Sequence, residues 1–151
     1  MYTTGSVDSA AAQAFFIAGT IPFMLGGGLH ALATLLDTVR PTYFTPIDRS
    51  VRPVTEGTGI RLVGRATPSM WRVWLGINIS HGLGVFTFGL LCLLIATHDF
   101  MLVEDIAAVR PLTIAFSAAY LVLSLRFWFY GPVILTGTGT VCFTVATVLS
   151  A

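Results

Sequence analysis

The chain has 151 residues, 55% of them apolar and only 10% charged, with a net charge of +1. Soluble domains carry about a quarter charged residues, and a soluble fold this short could not hide so much apolar surface from water, whereas a bilayer removes that difficulty. Near-neutrality excludes a basic field for nucleic acid, and because all eight cationic residues are Arg, lysine-dependent Schiff-base and P-loop chemistry is excluded too.

The first apolar segment runs from about Ala10 to Leu36. It is too long for a cleaved signal peptide, and Asp8 stands before it where positive charge is expected. Pro22 lies inside it and should kink the helix or free a carbonyl. The connection over residues 37–67 carries Arg40, Arg49, Arg52, Arg61 and Arg65. Thr45-Pro46-Ile47-Asp48 reads as a capping box with Pro at the first helical position, opening a short helix that Pro53 interrupts. Thr55-Glu56-Gly57-Thr58-Gly59 reads as a turn. This connection is either a surface helix with Arg49 and Arg52 toward lipid phosphates or a folded lid over the end of the bundle.

The second span runs from about Pro68 to Thr97, with Thr67-Pro68 as its N-cap and first residue. A short acidic connection follows, with one helical turn expected around Val103 to Val109. His98, Asp99, Glu104 and Asp105 offer a weak outer metal site there, but a solvated acidic loop is the reading favoured, and no metal site is assigned. The third and fourth spans cover about Pro111–Phe129 and Pro132–Ser150, each opened by its proline and joined by a tight turn at Tyr130-Gly131-Pro132. Each segment reaches or approaches the roughly 20 residues that cross a hydrocarbon core, and in lipid each must be helical. The fold expected is all-α: one transmembrane four-helix domain over residues 1–151, with a structured cytoplasmic lid between helices one and two. Cys92 and Cys142 fall inside spans as small buried residues.

Arginine placement sets the orientation. Arg72 and Arg126 join the five lid arginines on one side, while Arg110 stands opposite with Asp8, Asp99, Glu104 and Asp105. The lid side is expected to be cytoplasmic, in a bacterial inner membrane, with both termini on the other side. Trp71, Trp74, Phe127, Trp128 and Tyr130 form an aromatic belt at the lid side.

Polar residues at membrane depth mark packing or function. At 1.5 Å per residue, His30 lies about 10 Å from the lid end, His81 roughly 16 Å and Tyr120 about 14 Å. Trp74, Asn78, His81, Val85 and Phe88 share one stripe, and Thr113, Ser117, Tyr120 and Ser124 another. A polar core of His30, Asn78, His81, Tyr120 and Ser124 is therefore expected, closed by Asp37 and Arg72. Two readings stand beside each other. One is a cofactor site: His30 and His81 ligating a haem b with Arg72 or Arg40 on its propionates, or a quinone held by His81 and Tyr120. The other is helix glue, in which such side chains bond across helices and small residues, among them a Gly76, Ser80, Gly84 row and the Thr136–Thr140 run, let helices approach. No catalytic residue is assigned, since neither a nucleophile elbow nor a His-Glu zinc motif occurs.

The stretch Met70-Trp71-Arg72-Val73-Trp74-Leu75-Gly76-Ile77-Asn78-Ile79-Ser80-His81-Gly82-Leu83-Gly84, with Gly27-Gly28-Leu29-His30-Ala31 and Phe44-Thr45-Pro46, resembles the signature of an uncharacterised family of small bacterial four-helix membrane proteins. The resemblance covers the first two-thirds of the chain. It implies the four-span topology, singles out His30, Asn78 and His81, and brings no activity with it. Pro53 departs from the unbroken helix that the resemblance implies. The function expected is a structural or accessory subunit of a larger membrane complex, partnered by the bilayer and other membrane subunits. A haem- or quinone-binding redox protein and a small transporter are the alternatives.

Overall fold

The computed structural model describes residues 4–61 and 67–150, with side chains from residue 8 onward, so Arg65 lies outside the described residues. The protein is an all-α four-helix bundle with a structured loop between its first two long helices. Helix α1 spans Thr4–Val39, α2 Val51–Gly57, α3 Met70–His98, α4 Met101–Asp105, α5 Val109–Phe127 and α6 Tyr130–Leu149. The long helices α1, α3, α5 and α6 are each long and apolar enough to cross a membrane. At 36 and 29 residues, α1 and α3 exceed a hydrocarbon core about 30 Å thick, so their ends reach beyond it.

Two helices, α5 and α6, begin about two residues before the places where their prolines mark a start, and α2 holds Pro53 in the same way. Pro53, Pro111 and Pro132 each occupy the third position of a helix, not the first. The first four N–H groups of a helix have no intrahelical acceptor, so proline loses nothing at any of these positions. Pro53 therefore sits inside α2 without interrupting it, and Pro22 lies within α1 without dividing it. The turn between α5 and α6 is made by Trp128 and Phe129, both extended, rather than by Tyr130-Gly131-Pro132. Helix α4 falls earlier than Val103–Val109, because the Asp99 carboxylate accepts the Met101 N–H at 3.0 Å and starts it there.

The chain forms two compact units. The first contains α1 up to Gly26 and everything from Val85 onward. Its core is aromatic: Phe16 meets Phe143 edge to face at 5.1 Å, Phe23 meets Phe88 at 5.2 Å, and Phe88 stacks on Phe116 at 3.8 Å. Close approach of backbones makes room for these rings. A side chain at Gly139 would strike the Phe23 ring, and one at Gly89 would come within 2.9 Å of the Thr20 carbonyl oxygen. The Gln13 amide donates to the Ala96 carbonyl at 2.8 Å, tying α1 to α3, and Arg110 donates to the Ser150 carbonyl at 2.8 Å, tying the start of α5 to the end of α6. Hydroxyls along the spans turn back on their own helices. Thr20, Thr113, Ser117, Thr136, Thr140 and Thr147 all donate to a carbonyl three or four residues earlier. That bond satisfies the hydroxyl wherever it faces, so these residues pack as small apolar ones.

The second unit, Gly27–Gly84, holds the end of α1, the lid and the start of α3. The lid departs from the expected capping box. Asp48 does not cap back to Thr45. Its carboxylate instead accepts both the backbone N–H and the hydroxyl of Ser50 at 2.8 Å, a local turn that delivers the chain into α2. Thr55 to Gly57 belong to α2 itself. An antiparallel bridge between Gly59 and Ser69 then closes the lid, with Ile60 donating to the Pro68 carbonyl and Met70 to the Thr58 carbonyl. The bridge occupies Pro68 and the N–H of Met70, so α3 begins at Met70. Its N-terminal cap is the Ser69 hydroxyl, which accepts the Arg72 N–H, rather than Thr67.

Candidate functional site

Asp37, in the last turn of α1, is completely buried, and both its oxygens face the backbone of the segment that follows. One oxygen accepts the N–H groups of Thr42 at 2.6 Å and Tyr43 at 2.9 Å, and the other that of Phe44 at 2.6 Å. A buried carboxyl is stable only with such compensation. Here the donors are supplied by a chain reversal that runs straight off the helix. Asp37 thus holds the start of the lid and makes no closure with Arg72, whose side chain is exposed.

Phe44 is fixed from two further directions. The Trp74 indole N–H donates to its carbonyl at 3.1 Å, and the His30 ring lies 4.5 Å from its own. Behind Trp74, one turn along α3, the Asn78 amide donates to the Trp74 carbonyl at 2.8 Å. His81 follows on the same stripe, its ring edge to face with that of His30 at 5.2 Å and 72°. Asn78 also lies beside His30. The residues His30, Asn78 and His81, singled out in the sequence, do come together. Phe44, Trp74 and Asp37 complete the group and give it an evident task, clamping the lid to two helix ends.

The two histidines meet because the helices touch behind them. A Cβ built on Gly82 would stand 2.6 Å from the Ala31 nitrogen and 2.9 Å from its Cα. Gly82 and Ala31 each adjoin one of the histidines, so backbone lies against backbone right at the pair. A bis-histidine haem needs two nitrogens on opposite faces of a porphyrin, with bonds of about 2 Å each and ring centroids therefore at least roughly 6 Å apart. Rings in edge contact, on helices this close, leave no slab of space for a macrocycle, so haem b does not fit between His30 and His81. The small-residue row that brings helices together is also not the one expected. Gly76 and Gly84 face open space, and Gly82 makes the approach.

Tyr120 and Ser124 belong to the other unit. Tyr120 stacks on Phe116 at 4.6 Å, and Ser124 lies beside the Thr136 hydroxyl at 3.5 Å. They join the α5–α6 packing there and are not part of the His30 cluster's own unit. Among the described residues no group of three or more His, Cys, Asp or Glu could hold a metal.

Next to the clamp a groove opens in the same unit, with a volume of about 440 Å³. Tyr43, Phe44, Pro46, Met70, Trp71 and Trp74 supply most of its wall. Arg52 of α2 lies over the Trp71 ring, its guanidinium carbon 5.6 Å from the centroid, and pairs through Nε with Glu56 at 2.8 Å. The Thr45 hydroxyl, also in the wall, is buried and has no hydrogen-bond partner among the described residues. Sequence reasoning placed Trp71 and Trp74 in a belt and missed this groove. The Phe44-Thr45-Pro46 triplet was the available signal, since it is apolar in a connection otherwise rich in charge. No protein-family model matches the chain, and searches of curated proteins and of solved structures return no match.

Proposed function

We propose that the chain is a structural or accessory subunit of a larger bacterial membrane complex. It would sit in the inner membrane with its lid on the cytoplasmic side and both termini on the other. It would belong with the small four-helix membrane proteins whose signature it resembles. One observation carries this reading: the conspicuous polar side chains are engaged within the fold. Asp37, Trp74, Asn78 and the two histidines hold the lid, and the span hydroxyls bond to their own helices. What remains toward the surroundings is apolar, with Leu29, Leu32, Leu83, Leu112, Leu125 and Ile134 all well exposed on the long helices. Such faces suit neighbouring helices as well as lipid.

The redox alternative has less support, because haem b does not fit between the two rings. A transporter has less support too, because the described polar side chains of the spans are engaged within the fold. Extraction of the native membrane in mild detergent tests the proposal. The protein is expected to migrate with a defined partner at fixed stoichiometry, and a lone monomer would overturn it. A Soret band in the same preparation would revive the redox reading.

A further inference from the structure

We propose that the groove between the lid and the start of α3 binds one anionic phospholipid, an acyl chain against Phe44, Trp71 and Trp74 and the phosphate on Arg52.

The groove lies where a bilayer's hydrocarbon ends, because its floor is the first turns of α3, a helix long and apolar enough to be a span. Its volume of about 440 Å³ is in the range of small-molecule sites, roughly 300–1,000 Å³. Its wall is almost wholly aromatic and aliphatic, which suits a chain of methylenes. Thr45 and Thr55 are the hydroxyl-bearing residues of the wall, and Arg52 stands beside it over Trp71. The Thr45 hydroxyl is buried there without a partner among the described residues, and an ester carbonyl of a lipid would satisfy it. The Arg52 guanidinium lies over Trp71 and spends Nε on Glu56, which leaves its terminal amino groups for a second anion. The lid outside the groove carries Arg40, Arg49, Arg61 and the adjacent Arg72 against Asp48 and Glu56, so its field selects an anionic over a zwitterionic head group. Ile47 at the tip of the lid is fully exposed, as expected of a segment resting on hydrocarbon.

Tryptophan quenching in vesicles reads this site directly. The full chain carrying Trp128→Phe, so that only Trp71 and Trp74 report, is reconstituted with phosphatidylglycerol or phosphatidylcholine bearing brominated acyl chains. Quenching by the brominated phosphatidylglycerol should half-saturate at an about five-fold lower mole fraction, the equivalent of roughly 1 kcal/mol for one arginine at a lipid surface. Arg52→Gln should abolish that preference with helix content unchanged, and Thr45→Val should weaken quenching by both lipids while leaving the preference in place. Arg61→Gln, which removes the same charge from the lid, should preserve it. Equal quenching by the two lipids overturns the proposal, as does equal loss in the Arg52 and Arg61 variants, which would mean diffuse charge rather than a site. Displacement by inorganic phosphate alone, or by a short-chain quinone at low mole fraction, would assign the groove to a different ligand and overturn it too.

Discussion

Asp37 concentrates more backbone hydrogen bonds on one side chain than any other described residue of the lid region. Its two oxygens take three backbone N–H groups of the segment that runs off α1. Asparagine has nearly the same shape but turns one acceptor into a donor, which would face the N–H of Thr42, Tyr43 or Phe44. The loss expected for Asp37→Asn is that of one unsatisfied buried donor, about 1–3 kcal/mol. It should fall first on the lid, so trypsin cleavage after Arg49 should accelerate well before the helices unfold. Cleavage at the wild-type rate would show that the clamp does not depend on these bonds. Asp48 offers a milder, pH-dependent case. The Ser50 N–H and hydroxyl hold its carboxyl below the usual carboxylate range. A depressed value in the folded state means that the turn's contribution is fully present above the ordinary range and is lost as pH falls through the depressed value. The Ser50 amide resonance in a pH titration should therefore move with a midpoint below that of an aspartate in an unstructured peptide, and a midpoint at or above it would contradict this bonding.

At the scale of elements, the helices were legible in outline because long apolar runs have one solution in lipid. Their starts were not, because proline is tolerated throughout a first turn and its position cannot say which residue opens the helix. The inward faces of α3 and α5 followed helical spacing, with Asn78, Val85, Thr113, Ser117 and Ser124 all buried. The choice among glycines did not. Gly76, Gly82 and Gly84 lie within nine residues of α3, and spacing alone favoured the Gly76–Gly84 row, yet only Gly82 meets another backbone. Adding one methyl group tests this. Gly82→Ala would push Cβ into the Ala31 backbone, which cannot give as a flexible side chain would, at a cost of about 1–3 kcal/mol for overpacking. Gly76→Ala and Gly84→Ala meet nothing and should be neutral or stabilising by up to about 1 kcal/mol from helix propensity. Thermal unfolding in detergent should rank Gly82→Ala well below the other two, and three equal midpoints would contradict the close approach.

For the molecule as a whole, composition and the four apolar segments disclosed an all-α four-helix protein, whereas the clamp was visible only in part. His30, Asn78 and His81 stood out because polar groups in apolar helices are costly. Phe44 did not, since its importance comes from backbone bonds made by Asp37 and Trp74 across a chain reversal that no spacing rule encodes. Orientation is the property that charge patterning addresses most directly. Arginines exert their bias through short loops next to the spans, and the lid holds Arg40, Arg49, Arg52, Arg61 and Arg65, whereas the α4 connection holds acidic residues with Arg110. Single cysteines can read the outcome once Cys92 and Cys142 are replaced by alanine. Ile47→Cys lies at the fully exposed tip of the lid, and Ala107→Cys is exposed in the connection before α5. In intact spheroplasts a membrane-impermeant maleimide should label Ala107→Cys at once and Ile47→Cys only after permeabilisation. The reverse pattern would invert the proposed topology. Labelling of both sites without permeabilisation would mean that the lid's arginines do not fix a single orientation. Substituting Arg40, Arg49 and Arg61 by Gln together should shift labelling of the Ile47→Cys site toward the outside, because three of the charges that hold the lid on its side are then gone.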